Sequence, residues 1–167
     1  MKERDIPEHI HSFAPIINES SEVLILGTIP GPESLRKRQY YANPNNQFWS
    51  IIYSVYDEKT VESSYEDKIC FLLDHRIALW DVYYSADRLG ALDADIKNPE
   101  LNDIKGLLHS HPCIKRILLA GRTAEKVFGK YFPDVSIESL YIPSASSAYA
   151  KKPIDEKTHD WKNALYN

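Results

Sequence analysis

Four short apolar runs, none with the polar alternation of a half-exposed strand, do most to restrict the folds open to this chain. They are 22–28 (EVLILGT), 77–82 (IALWDV), 116–120 (RILLA) and 139–142 (SLYI). Such runs suit strands covered on both faces, as in a parallel sheet. Helical periodicity fills the intervals. Phe48, Trp49, Ile51, Ile52 and Val55 share one broad face of 46–55. Ile69, Leu72 and Leu73 recur at helical spacing in 65–75, as do Ile104, Leu107 and Leu108 in 102–109. In 123–131, Ala124, Val127, Phe128 and Tyr131 fall at i, i+3, i+4 and i+7, with Thr123 as the expected N-cap. A last helix is expected over 156–165. Strands alternating with helices require right-handed crossovers. The predicted fold is α/β: a three-layer α/β/α sandwich around a central, mainly parallel four-stranded sheet. At 167 residues, the chain is expected to form a single domain over 1–167.

Ligands of such open sheets bind beyond the carboxyl ends of the strands. Three loops lie there: 27–46, 81–92 and 143–152. The first opens as Gly27-Thr28-Ile29-Pro30-Gly31-Pro32-Glu33-Ser34. It lacks the Gly-Lys-Ser/Thr of a P-loop and the spacing of a dinucleotide fingerprint. Pro30 and Pro32 stiffen it, while Gly27 and Gly31 permit positive φ or close backbone approach. A basic cluster, Arg36-Lys37-Arg38, and the rings of Tyr40 and Tyr41 follow. Asn43, Asn45 and Asn46 then supply amides that donate and accept at once, the way base edges are read. One of Asn45 and Asn46 is expected to cap the next helix, whose free amides would offer an anion site. The third loop carries Ser144, Ser146 and Ser147 and ends in Lys151-Lys152, groups suited to phosphate oxygens. Asp81 ends the second strand at the cleft, either accepting backbone donors from the first loop or capping the next turn.

A net charge of −4 argues against a broad, non-specific nucleic-acid binder. It is compatible with a DNA-reading enzyme whose cations concentrate locally, at Arg36–Arg38, Lys115-Arg116 or Lys151-Lys152. Cys70 and Cys113 form no CxxC pair, and the pairs His9/His11 and His109/His111 lack a third ligand nearby, so neither metal nor cofactor is expected. No Gly-x-Ser-x-Gly elbow is present. Trp80 and Trp161 read as core rings or interface anchors. The charged start, MKERDIPEHIHSF, lacks the apolar core of a signal peptide, and no run is long enough to span a membrane. A reduced, cytoplasmic monomer is expected.

Three motifs together are similar to the uracil-DNA glycosylase superfamily: Gly27…Ser34 as G-x-x-P-G-x-x-S, Tyr41-Ala42-Asn43-Pro44-Asn45-Asn46-Gln47-Phe48-Trp49, and Pro143-Ser144-Ala145-Ser146-Ser147. Their order resembles the mismatch-specific uracil glycosylases. In detail the chain resembles the hypoxanthine-DNA (DNA-deoxyinosine) glycosylase branch, which Leu79-Trp80-Asp81-Val82 and the run 92–108 also resemble. Two positions depart from the better-known branches. Ile29 stands where the mismatch-specific enzymes carry a water-activating Asn, and Ile142 where classical uracil glycosylases carry a His.

The resemblance implies a monofunctional glycosylase that flips a deaminated base out of DNA, hypoxanthine first, with uracil, xanthine or another deaminated base as alternatives. It implies a water positioned by Asn46 or Asn43 and a base stacked on Tyr41. Further base contacts would come from Gly27, Thr28, Ile29 and Phe48. Phosphates would be held by Pro30, Gly31, Ser34, Ser144, Ser146, Ser147 and Lys151. Tyr149 reads equally as the wedge that fills the vacated stack or as an ordinary packed ring. Loss of both usual catalytic side chains leaves a non-catalytic damaged-DNA or nucleotide-binding module as the competing expectation.

Overall fold

The computed structural model describes residues 6–167. The central sheet has four parallel strands, β2 (Val23–Gly27), β3 (Ile77–Asp81), β6 (Arg116–Ala120) and β7 (Glu138–Ile142), in the order β3-β2-β6-β7. All four expected strands are present. The register sets Val23 beside Ile77 and Gly27 beside Asp81, so the first loop and Asp81 begin at one edge of the sheet.

Side chains alternate across the sheet and build one apolar layer on each face. Ile25, Leu79 and Leu118 point to one side. There α2 (Phe48–Val55), α3 (Tyr65–Asp74) and α6 (Ile154–Tyr166) supply Phe48, Ile52, Leu72 and Trp161. Leu24, Leu26, Ile117 and Leu119 point to the other, against Ile104 of α4 (Ile104–Ser110) and Val127 and Phe128 of α5 (Arg122–Tyr131). Full burial of such side chains stabilises by about 1.5–3 kcal/mol each, so both helical layers are held by their apolar stripes. Trp161 is fully buried, with its indole N–H donating to Pro143 O at 2.9 Å, and Trp80 donates to Phe13 O at 2.9 Å.

Three features depart from expectation. A second, antiparallel sheet joins β1 (Glu8–His11), β4 (Tyr83–Arg88) and β5 (Ile96–Leu101) in the order β1-β4-β5. The 77–82 run hides its start, because Val82 alone separates β3 from β4. The ladder between β4 and β5 is irregular and β5 is a largely exposed edge strand containing Pro99, which blurs any period of two. A six-residue helix, α1 (Pro32–Lys37), also stands within the first loop, with Pro32 in its first turn. Thr123 is not the cap of α5. Gly121 is, at φ 98°, where a Cβ would lie 3.3 Å from the Ser144 side chain.

Candidate active site

A cleft of about 610 Å³ opens at the carboxyl ends of β2, β3, β6 and β7. Its walls come from Gly27–Ser34, from Tyr40, Tyr41, Asn43 and Asn46, from Ala91–Ala94, from Ala120–Thr123 and from Ser144–Tyr149, with Asp81 and Tyr141 also lining it. A hollow of similar volume, about 620 Å³, lies elsewhere along α6 against His159 and Tyr166, away from these strand ends.

Gly27, Asp81 and Tyr41 form the floor. A Cβ on Gly27 would sit 2.7 Å from Asp81 Oδ1 and 2.8 Å from the Tyr41 hydroxyl. Gly27 is therefore needed for close approach rather than for positive φ. Gly31 uses neither freedom, since its φ is −73° and a Cβ there would meet open space. The backbone around Asp81 is tightly held. Val82 N–H donates to Gly27 O at 2.9 Å, Tyr83 N–H to Thr28 O at 3.1 Å, and Asn102 Nδ2 to Asp81 O at 2.8 Å. The carboxyl itself is not held: Asp81 is buried, and its Oδ2 has no hydrogen-bond partner in the protein. Neither expected use of Asp81, as acceptor for the first loop or as turn cap, is realised. Burial, and secondarily the charge of Asp93, pushes its pKa up to about 7.

Tyr41 lies flat on Phe48, centroids 4.0 Å apart and planes 9° from parallel. Phe48 is fully buried and does not line the cleft, which corrects its expected role as a base contact. It backs the Tyr41 ring instead. Burial, then the nearby Asp81, raises the Tyr41 phenol pKa, so it stays protonated. Tyr41 also has φ 53°, a left-handed conformation that costs a non-glycine residue on the order of 1–3 kcal/mol.

Beside Tyr41 the amides form a series of tight turns. Asn43 Oδ1 accepts Asn45 N–H at 2.9 Å, Asn43 O accepts Asn46 N–H at 2.9 Å, and Asn46 Oδ1 accepts Phe48 N–H at 2.9 Å. These donors fix which terminal atom of each Asn is the oxygen. Each oxygen keeps a second lone pair. Asn46 is half-buried at the root of α2, while Asn43 is exposed. The expected anion site at this helix start is largely occupied from within: Phe48 N–H goes to Asn46, and Gln47 N–H to Ala145 O at 2.9 Å.

The expected phosphate contacts divide. Pro30, Gly31, Ser144, Ser146 and Ser147 line the cleft. Ser144 Oγ accepts Ser146 N–H and Ser146 Oγ accepts Ala148 N–H, leaving both hydroxyl protons to donate outward. Ser34 lines it too, but its buried hydroxyl accepts Ala42 N–H at 3.1 Å and fixes the chain entering Tyr41. Lys151 is exposed and not part of the lining. Arg36 and Lys37 pair with Glu33, Lys115 pairs with Glu22 before the amino ends of the strands, and Lys152 pairs with Asp160. Tyr149 lies under the buried Lys157 ammonium at 5.3 Å, as a packed wall. Lys157 also donates to Gln47 Oε1 at 2.9 Å, tying α6 to the start of α2.

Arg122, Asp93 and Leu92 also line the cleft, although the sequence singles none of them out as a site residue. Arg122, over the Tyr141 ring at 3.7 Å, is the cleft's cation among the described residues. It opens α5, directly after β6 and Gly121, in a stretch that carries no motif. Asp93 reaches Thr28 Oγ1, which donates to its Oδ2 at 3.2 Å, and Leu92 projects from the rim with 56% of its surface exposed. Both return to the cleft because β4 and β5 carry the chain out and back. Among the described residues no cluster of side chains suits a metal ion.

The family model described as "Uracil DNA glycosylase superfamily" matches residues 14–167. A Methanosarcina acetivorans protein named hypoxanthine DNA glycosylase is 38% identical over 139 residues, 81% of this chain and 85% of its own length. A Methanosarcina barkeri protein of the same name is 33% identical over 156 residues, 92% of this chain and 96% of its own. A solution structure from M. acetivorans, described provisionally as a uracil DNA glycosylase, superposes with a TM-score of 0.83 at 32% identity. It covers 95% of this chain and 97% of its own.

Proposed function

The chain belongs to the uracil DNA glycosylase superfamily, and from that premise we propose that it hydrolyses the N-glycosidic bond of deoxyinosine in DNA, releasing hypoxanthine. The relatives' names supply the lesion. The observation that carries the mechanism is the half-buried Asn46 pinned beside Tyr41.

The base must leave the stack, at a cost of a few kcal/mol that is least for a poorly paired base. Tyr41, backed by Phe48, offers it a rigid flat face. Leu92 on the rim is the exposed apolar group suited to fill the vacated step. Ser144, Ser146 and Arg122 would hold flanking phosphates. The remaining lone pair of Asn46 Oδ1 would orient a water toward C1′ as the sugar becomes oxocarbenium-like. An amide is no base, so the gain is positional. Asn46 is preferred to Asn43 because burial and the Phe48 N–H leave it one orientation. Among the described residues no lysine lines the cleft for a Schiff-base step, so the proposed reaction stops at the abasic site. Ile29 on the cleft wall and the fully buried Ile142 carry hydrocarbon side chains, so neither supplies the missing polar group.

Release of free hypoxanthine from a deoxyinosine duplex is the test. None from the wild type would reject the activity, and full release by Asn46→Ala would move the water elsewhere. Parallel uracil and xanthine duplexes rank the lesions. Action as a cytoplasmic monomer is part of the proposal, in keeping with two exposed free cysteines and no helix long and apolar enough to cross a membrane among the described residues.

A further inference from the structure

We propose that Asp81 acts as a neutral carboxylic acid on the cleft floor, hydrogen-bonding the lactam edge of the extruded base. The proposal rests on the glycosylase reading above and assigns the base an anchor that reading lacks.

Asp81 is 4% exposed, yet it lines the cleft, and its Oδ2 is buried without a partner. An unmatched buried polar atom costs about 1–3 kcal/mol, a cost a ligand can remove. Every neighbour leaves that atom free. Gly27 brings no side chain against the carboxyl, the Asn102 amide is spent on the Asp81 and Tyr83 carbonyls, and Thr28 donates to Asp93.

Among the described residues no cation pairs with it to hold the charge. The titratable groups around it are the Tyr41 and Tyr40 phenols, both kept neutral by burial, and Asp93 from the 3-10 turn after β4. On the cleft wall, Glu33 is paired with Arg36 and Arg122 with Glu125. Burial and Asp93 both favour the protonated form.

A protonated carboxyl presents one donor and one acceptor side by side. Hypoxanthine presents N1–H and C6=O in the complementary order, as do the N–H/C=O edges of uracil and xanthine, so the two close a pair of hydrogen bonds. Ionised, Asp81 would keep only acceptors and repel the base carbonyl. A neutral acid also pairs with the amidine edge of adenine, so this contact anchors a flipped base rather than rejecting adenine.

The test measures Kd against pH for duplexes carrying an uncleavable 2′-fluoro deoxyinosine or a tetrahydrofuran abasic site, which has no base to place against Asp81. Wild type should bind the inosine duplex at least tenfold more weakly at pH 8.5 than at pH 6, and the abasic duplex without that limb. Asp81→Asn keeps a donor and an acceptor, so it should bind inosine without the limb. Asp93→Asn, with one negative charge fewer beside Asp81, should move the limb to lower pH. A limb surviving in Asp81→Asn, unmoved in Asp93→Asn, or equal on both duplexes overturns the inference. If wild type releases hypoxanthine but binds the analogue without pH dependence, this inference alone fails. If it releases none, the glycosylase reading fails.

Discussion

The amide lip and the carboxyl floor of the cleft are built on opposite terms. On the lip, Asn43, Asn46, Ser144 and Ser146 each spend an acceptor on a backbone N–H within two residues, so their geometry is set before any ligand arrives. On the floor, Asp81 has a fixed backbone and an unspent carboxyl. Preorganisation serves a group that must aim a water. An unmatched group serves recognition, because its bond forms only with a ligand in place.

Four changes would break or sharpen that contrast, in descending size. The largest is thermodynamic. Folding raises the Asp81 pKa from 3.8 to about 7. The folded state therefore holds this proton after the unfolded chain has lost it, and stability falls as pH rises between those values. Asp81→Asn lacks this fall, so at pH 8 it should be the more stable protein by up to about 4 kcal/mol, with no such gain at pH 4. Urea titrations at both pH values check this.

Next is the lip. Asn46→Ala should lower single-turnover hypoxanthine release on the order of 10²–10³-fold, about 3–4 kcal/mol, and Asn43→Ala by tenfold or less. Equal losses would erase the distinction between a pinned and an exposed amide. Third, Gly27→Ala drives a methyl into the contact between floor and ring, with Oδ1 of Asp81 at 2.7 Å. It should cost about 1–3 kcal/mol of stability and lose activity with it, read by thermal unfolding and by turnover. Smallest is Arg122→Ala. It should weaken DNA binding about equally across lesions, by about 1 kcal/mol, and lower the salt slope by about 1. A lesion-dependent loss would place Arg122 at the base rather than the backbone.

The sequence was most legible where one rule governs. Fully buried strands read as unbroken apolar runs, and all four of the central sheet are found within a residue or two of the expected bounds. The antiparallel sheet was illegible because the β3 run passes into β4 through Val82, and because β5, with Asn98-Pro99-Glu100, reads as a loop. In the site, the motif residues Tyr41, Asn43, Asn46 and Ser144–Ser147 do converge on one cleft. Local pattern carries no information on which ring faces a ligand: Tyr41 lines the cleft, while Phe48, expected as a further base contact, is buried behind it. Nor could it bring in Arg122 and Asp93. They enter at the start of α5 and in the 3-10 turn after β4, whose positions are set by tertiary pairing, not by their own residues.

The strand order carries a consequence for the newly made chain. In β3-β2-β6-β7, the first strand synthesised lies inside the sheet, and its neighbour β6 is added about ninety residues later. The cleft needs β7 and the serine loop beyond it, and α6 then ties down Gln47 through Lys157. Most contacts that define the site therefore span long stretches of sequence, which makes assembly comparatively slow. It also makes it all-or-none in effect. A chain still emerging from the ribosome carries the tyrosine, the asparagines and the carboxyl, but no place in which they meet. The capacity to cut a base from DNA arises only once nearly the last helix has been made.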